Sequence, residues 1–221
     1  MTAPPSRQPL TRDRVLQAAI ALADRDGLAA LTMRSLAEAL SVKPMAVYHH
    51  VSGKDEILDG IVDSVFNQIE HPIPGNPWRA EITRMAHSAR TVLVRHSWVI
   101  ALLESRSTPG PATLRHHDAV LGTFMKDGFS LASTAHAYAL LDSFLYGYAV
   151  QEASLPFTAE TSEATAEAML AALPPDAYPH FLVFARDYAM QPGYDFRDEF
   201  AIGLAATLDA IASMKPERTT P

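Results

Sequence analysis

The sequence predicts an all-α protein with a small N-terminal helix-turn-helix domain and a larger helical C-terminal domain. Three observations carry this. Apolar residues recur at helical spacing through most of the 221 residues, and no stretch alternates as a strand does. Many of the 16 prolines sit in connectors such as HPIPGNP (71–77) and STPGP (107–111), with alanine-rich segments between them. Residues 11–58 set three short helices and a tight turn at the spacing of a helix-turn-helix, then begin a fourth helix.

Each element has a local reason. Residues 1–10 are polar and proline-rich and read as a disordered arm. In the first helix Val15, Ala19 and Leu22 form one apolar stripe, while Arg12, Asp13, Asp24 and Arg25 point elsewhere. Gly27 ends it, because glycine takes the left-handed C-terminal conformation cheaply. Thr32 is the expected N-cap of a second helix that buries Leu36, Ala37 and Leu40. Ser41 is the expected cap of the third, with Pro44 in its first turn, where a missing N–H costs little. Ser52, followed by Asp55 and Glu56, reads as a capping-box-like start for the fourth helix, with two carboxylates on the positive end of its dipole. Ile57, Ile61, Val65 and Ile69 continue that helix to the 71–77 breaker.

Further helices are expected over 78–96, 99–105, 112–126 with a stop at Gly128, and 131–153. After a polar, alanine-rich segment (158–172), two more follow over about 176–190 and 195–214, parted by Gln191-Pro192-Gly193. The domains are then a disordered arm at 1–10, a helix-turn-helix domain at 11–56, a larger helical domain at 57–214, and a disordered tail at 215–221.

Composition narrows the function. There is no cysteine, which excludes disulfides, thiolate metal sites and cysteine nucleophiles. No apolar run approaches the roughly 20 residues of a membrane span. The polar N-terminus is no signal peptide, so a cytoplasmic protein without a membrane partner is expected. The net charge of −7 argues against nucleic acid, yet residues 1–54 hold seven Lys and Arg against four Asp and Glu. That lobe carries +3 and the remainder −10, so only the N-terminal lobe can approach a phosphate backbone. HExxH, GxSxG and GxGxxG patterns are absent. His116 and His117, adjacent on a helix, diverge by about 100° and cannot chelate one ion from the same face. Asp142 and Ser143 stand two helical turns from His136, beyond nucleophile–base reach. No enzyme activity, cofactor or metal is expected.

The run LTMRSLAEALSVKPMAVYHHVSGKDEIL (31–58) resembles the N-terminal domain of the TetR family of one-component transcriptional repressors. The matching positions are Thr32, Arg34, Leu36, Ala37, Leu40, Val42, Ala46, Val47, Tyr48, His50, Val51 and Lys54. DGFSLASTAHAYALLDSFLYGYAVQEA (127–153) resembles the long central helix of a tetracycline-repressor-type C-terminal domain, and Asn76-Pro77-Trp78 resembles the start of its fifth helix. The resemblance implies a homodimer on a palindromic double-stranded DNA operator, a ligand cavity in the C-terminal domain, and release of DNA when a small-molecule effector tilts the fourth helix. The alternative is a DNA-binding regulator controlled by a protein partner, with no small-molecule effector.

The expected DNA face is Thr32, Arg34, Lys43, Met45, Ala46, Tyr48, His49, His50 and Lys54. Arg34 can present its fork to guanine, Met45 and Ala46 can touch a thymine methyl, and Tyr48, His50 and Lys54 can bind phosphates. Alignment on the resemblance places Met85, Ala89, Leu103, Arg106, His117, Ser143, Tyr146, Gly147 and Gln151 around the cavity. That set suits a small, largely apolar or aromatic effector. The tetracycline–magnesium ligand positions fall at Ser143, Gln151 and Leu102 or Leu103, which coordinate a hard cation poorly, so metal-chelated tetracycline is not the expected effector. On the last helix Phe200, Gly203, Leu204, Thr207, Leu208 and Ile211 form a continuous stripe. Paired with 131–153, it is the expected dimer interface, a four-helix bundle across a two-fold axis.

Overall fold

The computed structural model describes residues 9–106, 108–155, 170, 173–174 and 177–216. Most of the expected arm (1–8), most of the alanine-rich segment 158–172, and most of the tail (217–221) lie outside the described residues. Helices run over α1 (Arg12–Asp26), α2 (Met33–Ala39), α3 (Pro44–Tyr48), α4 (Lys54–Phe66), α5 (Trp78–Arg95) and α6 (Trp98–Ser105). They continue with α7 (Pro111–Lys126), α8 (Leu131–Ala153), α9 (Pro179–Phe184) and α10 (Glu199–Ser213). The chain after α9 passes through a π turn, Ala185–Ala189. Among the described residues there is no strand, and a single isolated bridge joins Pro74 to Asn76 in the predicted breaker.

The helix starts show how the sequence is read locally. Thr32 caps α2 through a reciprocal pair: its Oγ1 accepts from the Ser35 N–H at 3.0 Å, and Ser35 Oγ accepts from the Thr32 N–H at 3.0 Å. Ser41 does not cap α3. The N-cap is Lys43, without a side-chain bond, and Ser41 occupies the inter-helix turn at φ 55°. Pro44 in the first turn starts α3 by fixing φ. Ser52 does not cap α4 either. Gly53 is the N-cap, and the Ser52 N–H and hydroxyl both donate to Glu56 Oε2, at 2.8 and 3.0 Å. The helix ends at Phe66, so Ile69 is buried in the turn that follows it. Gly27 leaves α1 at φ 78° and ψ 166°, an extended mirror region that glycine alone occupies readily.

One continuous core joins head and body. In the head, α1 buries Val15, Leu16, Ala19 and Ile20 against Leu36, Ala37, Val47 and Val51. Helix α4 buries Ile57, Ile61, Val65 and Phe66 while packing on α1 to one side and on α6 and α7 to the other. It therefore belongs to both halves. In the body α5 lies along α8, and α10 covers both.

That covering corrects the expected dimer stripe. Phe200, Leu204, Leu208 and Ile211 are buried within the chain itself. A Cβ on Gly203 would stand 2.7 Å from Phe144 Cε2 of α8, so glycine is what lets the two helices approach. The Thr207 hydroxyl donates to the Gly203 carbonyl at 2.8 Å, within its own helix. An apolar stripe is claimed first by the helix's own core. The face α10 leaves exposed carries Ile202, Ala205, Ala206 and Asp209.

Candidate DNA-binding face and effector site

The α2–α3 unit buries Leu36, Ala37 and Val47 and leaves an unusual set outside. Thr32, Arg34, Lys43, Met45, Tyr48, His49 and Lys54 are exposed, and Ala46 and His50 are partly so. Met45 is 68% exposed and Tyr48 46%, beside a fully buried Val47. Large apolar groups held outward on a five-residue helix mark a surface made to be covered. Arg34 Nε lies 3.0 Å from Glu38 Oε1. That exposed i,i+4 pair is worth under about 1 kcal/mol and yields readily to a stronger acceptor.

Glu56 braces the head internally, and Asp24, Asp55, Asp59 and Asp63 fasten it to the body. Glu56 receives the Ser52 N–H and then Arg12 of α1, at 3.1 Å, and these contacts hold its carboxyl below the usual range. Asp24 Oδ1, at the end of α1, accepts the Trp98 indole N–H at 2.7 Å and stands 2.7 Å from His96 Nδ1. Asp59 of α4 pairs with Arg106, which also reaches Asp55 at 3.4 Å. Asp63, one turn further along α4, accepts the backbone N–H groups of Ala112 and Thr113 at 2.7 and 2.9 Å. It thereby caps α7 from another helix. Gly110 makes room for this, since a Cβ there would lie 2.4 Å from Asp63 Oδ1.

The nine residues aligned to a ligand cavity are not brought together. Met85 and Ala89 belong to the core of α5, whereas Ser143, Gly147 and Gln151 are exposed along α8. Leu103 is partly buried against the core, and Arg106 is committed to the α4 carboxylates. None of the nine lines either of two surface grooves among the described residues, one of about 670 Å³ between α1, α4 and α7 and one beside Arg90 and Glu152. The helix runs over 131–153 as expected, but which face of a helix turns inward depends on its neighbours. The tetracycline–magnesium positions fare likewise. Ser143 and Gln151 face outward and Leu102 is buried, which supplies no donor set for a hard cation. Among the described residues, no group of three or more His, Cys, Asp or Glu side chains is placed to hold a metal ion.

His117 and Tyr146 do fall in one connected polar cluster, and most of its other members escaped sequence reasoning. The His117 ring meets Phe66 of α4 edge-on at 6.2 Å, His116 at 5.9 Å and Tyr138 of α8 at 5.6 Å. His116 in turn lies 5.5 Å from Phe66 and 5.7 Å from His71. The hydroxyls of Tyr138 and Tyr146 both bond to the Asp142 carboxyl between them. Burial drives His116 down to about 3, lowers His117, and raises Asp142 to about 6. The signal that could have found them is the spacing of Tyr138, Asp142 and Tyr146, a polar ladder at i, i+4 and i+8 on an otherwise apolar helix.

Comparison with known proteins agrees with this architecture. A family model described as bacterial regulatory proteins, tetR family, matches residues 15–61, and one described as tetracyclin repressor-like, C-terminal domain, matches residues 71–215. An HTH-type transcriptional regulator of Saccharopolyspora erythraea is 36% identical over 139 residues, 62% of this chain and 59% of the relative. The HTH-type transcriptional repressor DrrR1 of Streptomyces coeruleorubidus is 31% identical over 227 residues, 97% of this chain and 83% of the relative. The crystal structure of the Streptomyces coelicolor TetR family protein ActR in complex with actinorhodin matches with a TM-score of 0.75 at 26% identity. That match covers 95% of this chain and 100% of ActR.

Proposed function

The chain belongs to the TetR family of bacterial regulatory proteins, and we propose that it is a dimeric transcriptional repressor. It binds a palindromic operator and is released by a small, largely apolar or aromatic organic effector. The observation that carries the reading is the exposed set on α2 and α3, fixed to a fourth helix that packs on the body. The 11–56 unit reads the DNA and 57–214 senses the effector and dimerises, in a cytoplasmic protein whose family match is to regulators.

Each residue of the DNA face has a role that its chemistry allows. Arg34 forks to a guanine edge and Met45 and Ala46 meet a thymine methyl. Thr32, Lys43, Tyr48, His49, His50 and Lys54 hold phosphates, joined by the first-turn amides of α4. The partner chain lies on the outward faces of α8 and α10, because the inner stripe of α10 is already covered. Two recognition helices held at a fixed spacing fail together when that spacing changes. An effector need then favour the released state by only about 1–3 kcal/mol. DrrR1 is named a repressor, and ActR was crystallised with an organic ligand; both support this reading. With Ser143 and Gln151 at the tetracycline–magnesium positions, release is expected to survive EDTA.

The test is selection of bound duplexes from a random pool, followed by gel shift. The reading expects enrichment of an inverted repeat. A pool with no enriched sequence sinks it.

A further inference from the structure

A groove of about 670 Å³ lies where the head meets the body, walled by α1, α4, the end of α5 and α7. His96 lines it and is only 2% exposed. Its Nδ1 stands 2.7 Å from Asp24 Oδ1, and a carboxylate only accepts, so the imidazole proton sits on Nδ1. Nε2 is then a buried lone pair, and among the described residues nothing donates to it. Buried polar atoms are nearly always paired, so this acceptor asks for a donor.

The rest of the wall indicates what that donor belongs to. Arg95, next to His96, and Arg115, on α7, both line the groove and are exposed. Among the described residues neither pairs with a carboxylate, and Arg115 reaches Asn67 Oδ1 at 3.4 Å. The carboxylates nearby already have donors. Asp24 also accepts the Trp98 indole N–H, and Asp63 accepts two amides and a hydroxyl of α7. Asp13 lines the groove as well, but it stands roughly 16 Å from Asp24 along α1. Two guanidiniums without a carboxylate partner suit an oxyanion, which each can bind through a charged fork.

We infer that this groove binds a small carboxylate carrying an adjacent hydroxyl or amino group, with the carboxylate on Arg95 and Arg115 and the O–H or N–H donating to His96 Nε2. None of the residues aligned to the ligand cavity lines the groove, so this is a second site. It stands on this wall alone and does not depend on the repressor reading. Nε2 is covered in this structure, and exposed wall side chains such as Arg95 and Gln68 can move aside without unpacking the core. A guest joins the end of α5 to α7 beside the Asp24 contacts that already tie α1 to the body.

The experiment is calorimetric titration of the full chain with malate, aspartate and succinate, dicarboxylates of one carbon skeleton that carry a hydroxyl, an amino group or neither. Malate or aspartate should bind at least about tenfold tighter than succinate, the worth of one hydrogen bond to a buried acceptor. Arg95→Gln and Arg115→Gln should each weaken the tighter ligand about tenfold. Both side chains are exposed, so these variants should keep a wild-type Tm. His96→Phe should abolish the advantage over succinate, a selective loss that a merely structural role would not produce. In nitrogen NMR spectra the His96 Nε2 signal, identified by its loss in His96→Phe, should move with the tighter ligand while those of His49 and His50 stay in place. If His96→Phe does not fold, the arginine variants decide. Equal binding of all three compounds, no saturable binding of malate or aspartate, or arginine variants that bind as wild type would overturn the proposal.

Discussion

Asp63 on α4 holds the first turn of α7 through Thr113, accepting its backbone N–H at 2.9 Å and its hydroxyl at 3.3 Å. A carboxylate at a helix N-terminus satisfies orphan donors and meets the positive end of the dipole. Because α4 begins beside the recognition helix, this contact ties the body to the DNA-binding head.

Asp63→Ala is therefore expected to cost about 1–2 kcal/mol of stability in urea unfolding, the range for loss of a good cap. Asp63→Asn keeps an acceptor and should cost less. Operator affinity should change in the alanine variant although Asp63 lies outside the DNA face. A variant with wild-type stability and affinity would remove this contact from the account.

Arg34 and Lys54 should separate by kind of effect. Arg34→Ala is expected to flatten preference among operator variants by roughly 1–3 kcal/mol at the contacted base pair. Lys54→Ala should weaken all duplexes alike and reduce the salt dependence by about one phosphate contact. Anisotropy on a panel of altered operators reads both, and matching profiles would refute the division of roles.

Asp142 predicts a pH dependence. Its carboxyl rises to about 6 from an ordinary 3.8, chiefly through burial. Between those values the folded chain holds a proton that the unfolded chain releases, so this group's contribution falls as pH rises and its cost persists above 6. Asp142→Asn is expected to raise Tm at neutral pH. The difference between wild type and variant should shrink as pH falls through the same window. His116 acts oppositely. Depressed to about 3 from 6.5, it contributes stability above 6.5 that is lost as pH falls. Only a wild-type-minus-variant profile isolates Asp142, and a flat profile would contradict its burial.

The two faces of α10 should respond differently. Leu208→Ala, on the inner face, is expected to destabilise each subunit by about 2–5 kcal/mol. Ala206→Glu, on the outer face, should leave subunit stability nearly unchanged while weakening self-association, as sedimentation would show. The reverse pattern would restore the original assignment of the stripe.

Much of this fold was legible because proline connectors and apolar periodicity are written locally. The stripe of Val15, Ala19 and Leu22 is buried, and the 131–153 helix runs between those limits. What failed depended on turn geometry or on non-local packing. Ser41 and Ser52 are good caps by type, but the turn geometry passed the N-cap positions to Lys43 and Gly53. The stripe from Phe200 to Ile211 is visible as a stripe, yet periodicity does not say whether the same chain or another covers it. The histidine cluster was hidden for a similar reason: adjacent rings diverge along α7, and Phe66 lies close to both.

The most direct test of the central claim is the stoichiometry of the complex with a selected duplex, measured by sedimentation or native mass spectrometry. The account predicts two chains on one duplex, with both half-sites of the inverted repeat required. One chain per duplex, or full affinity for an isolated half-site, would contradict it.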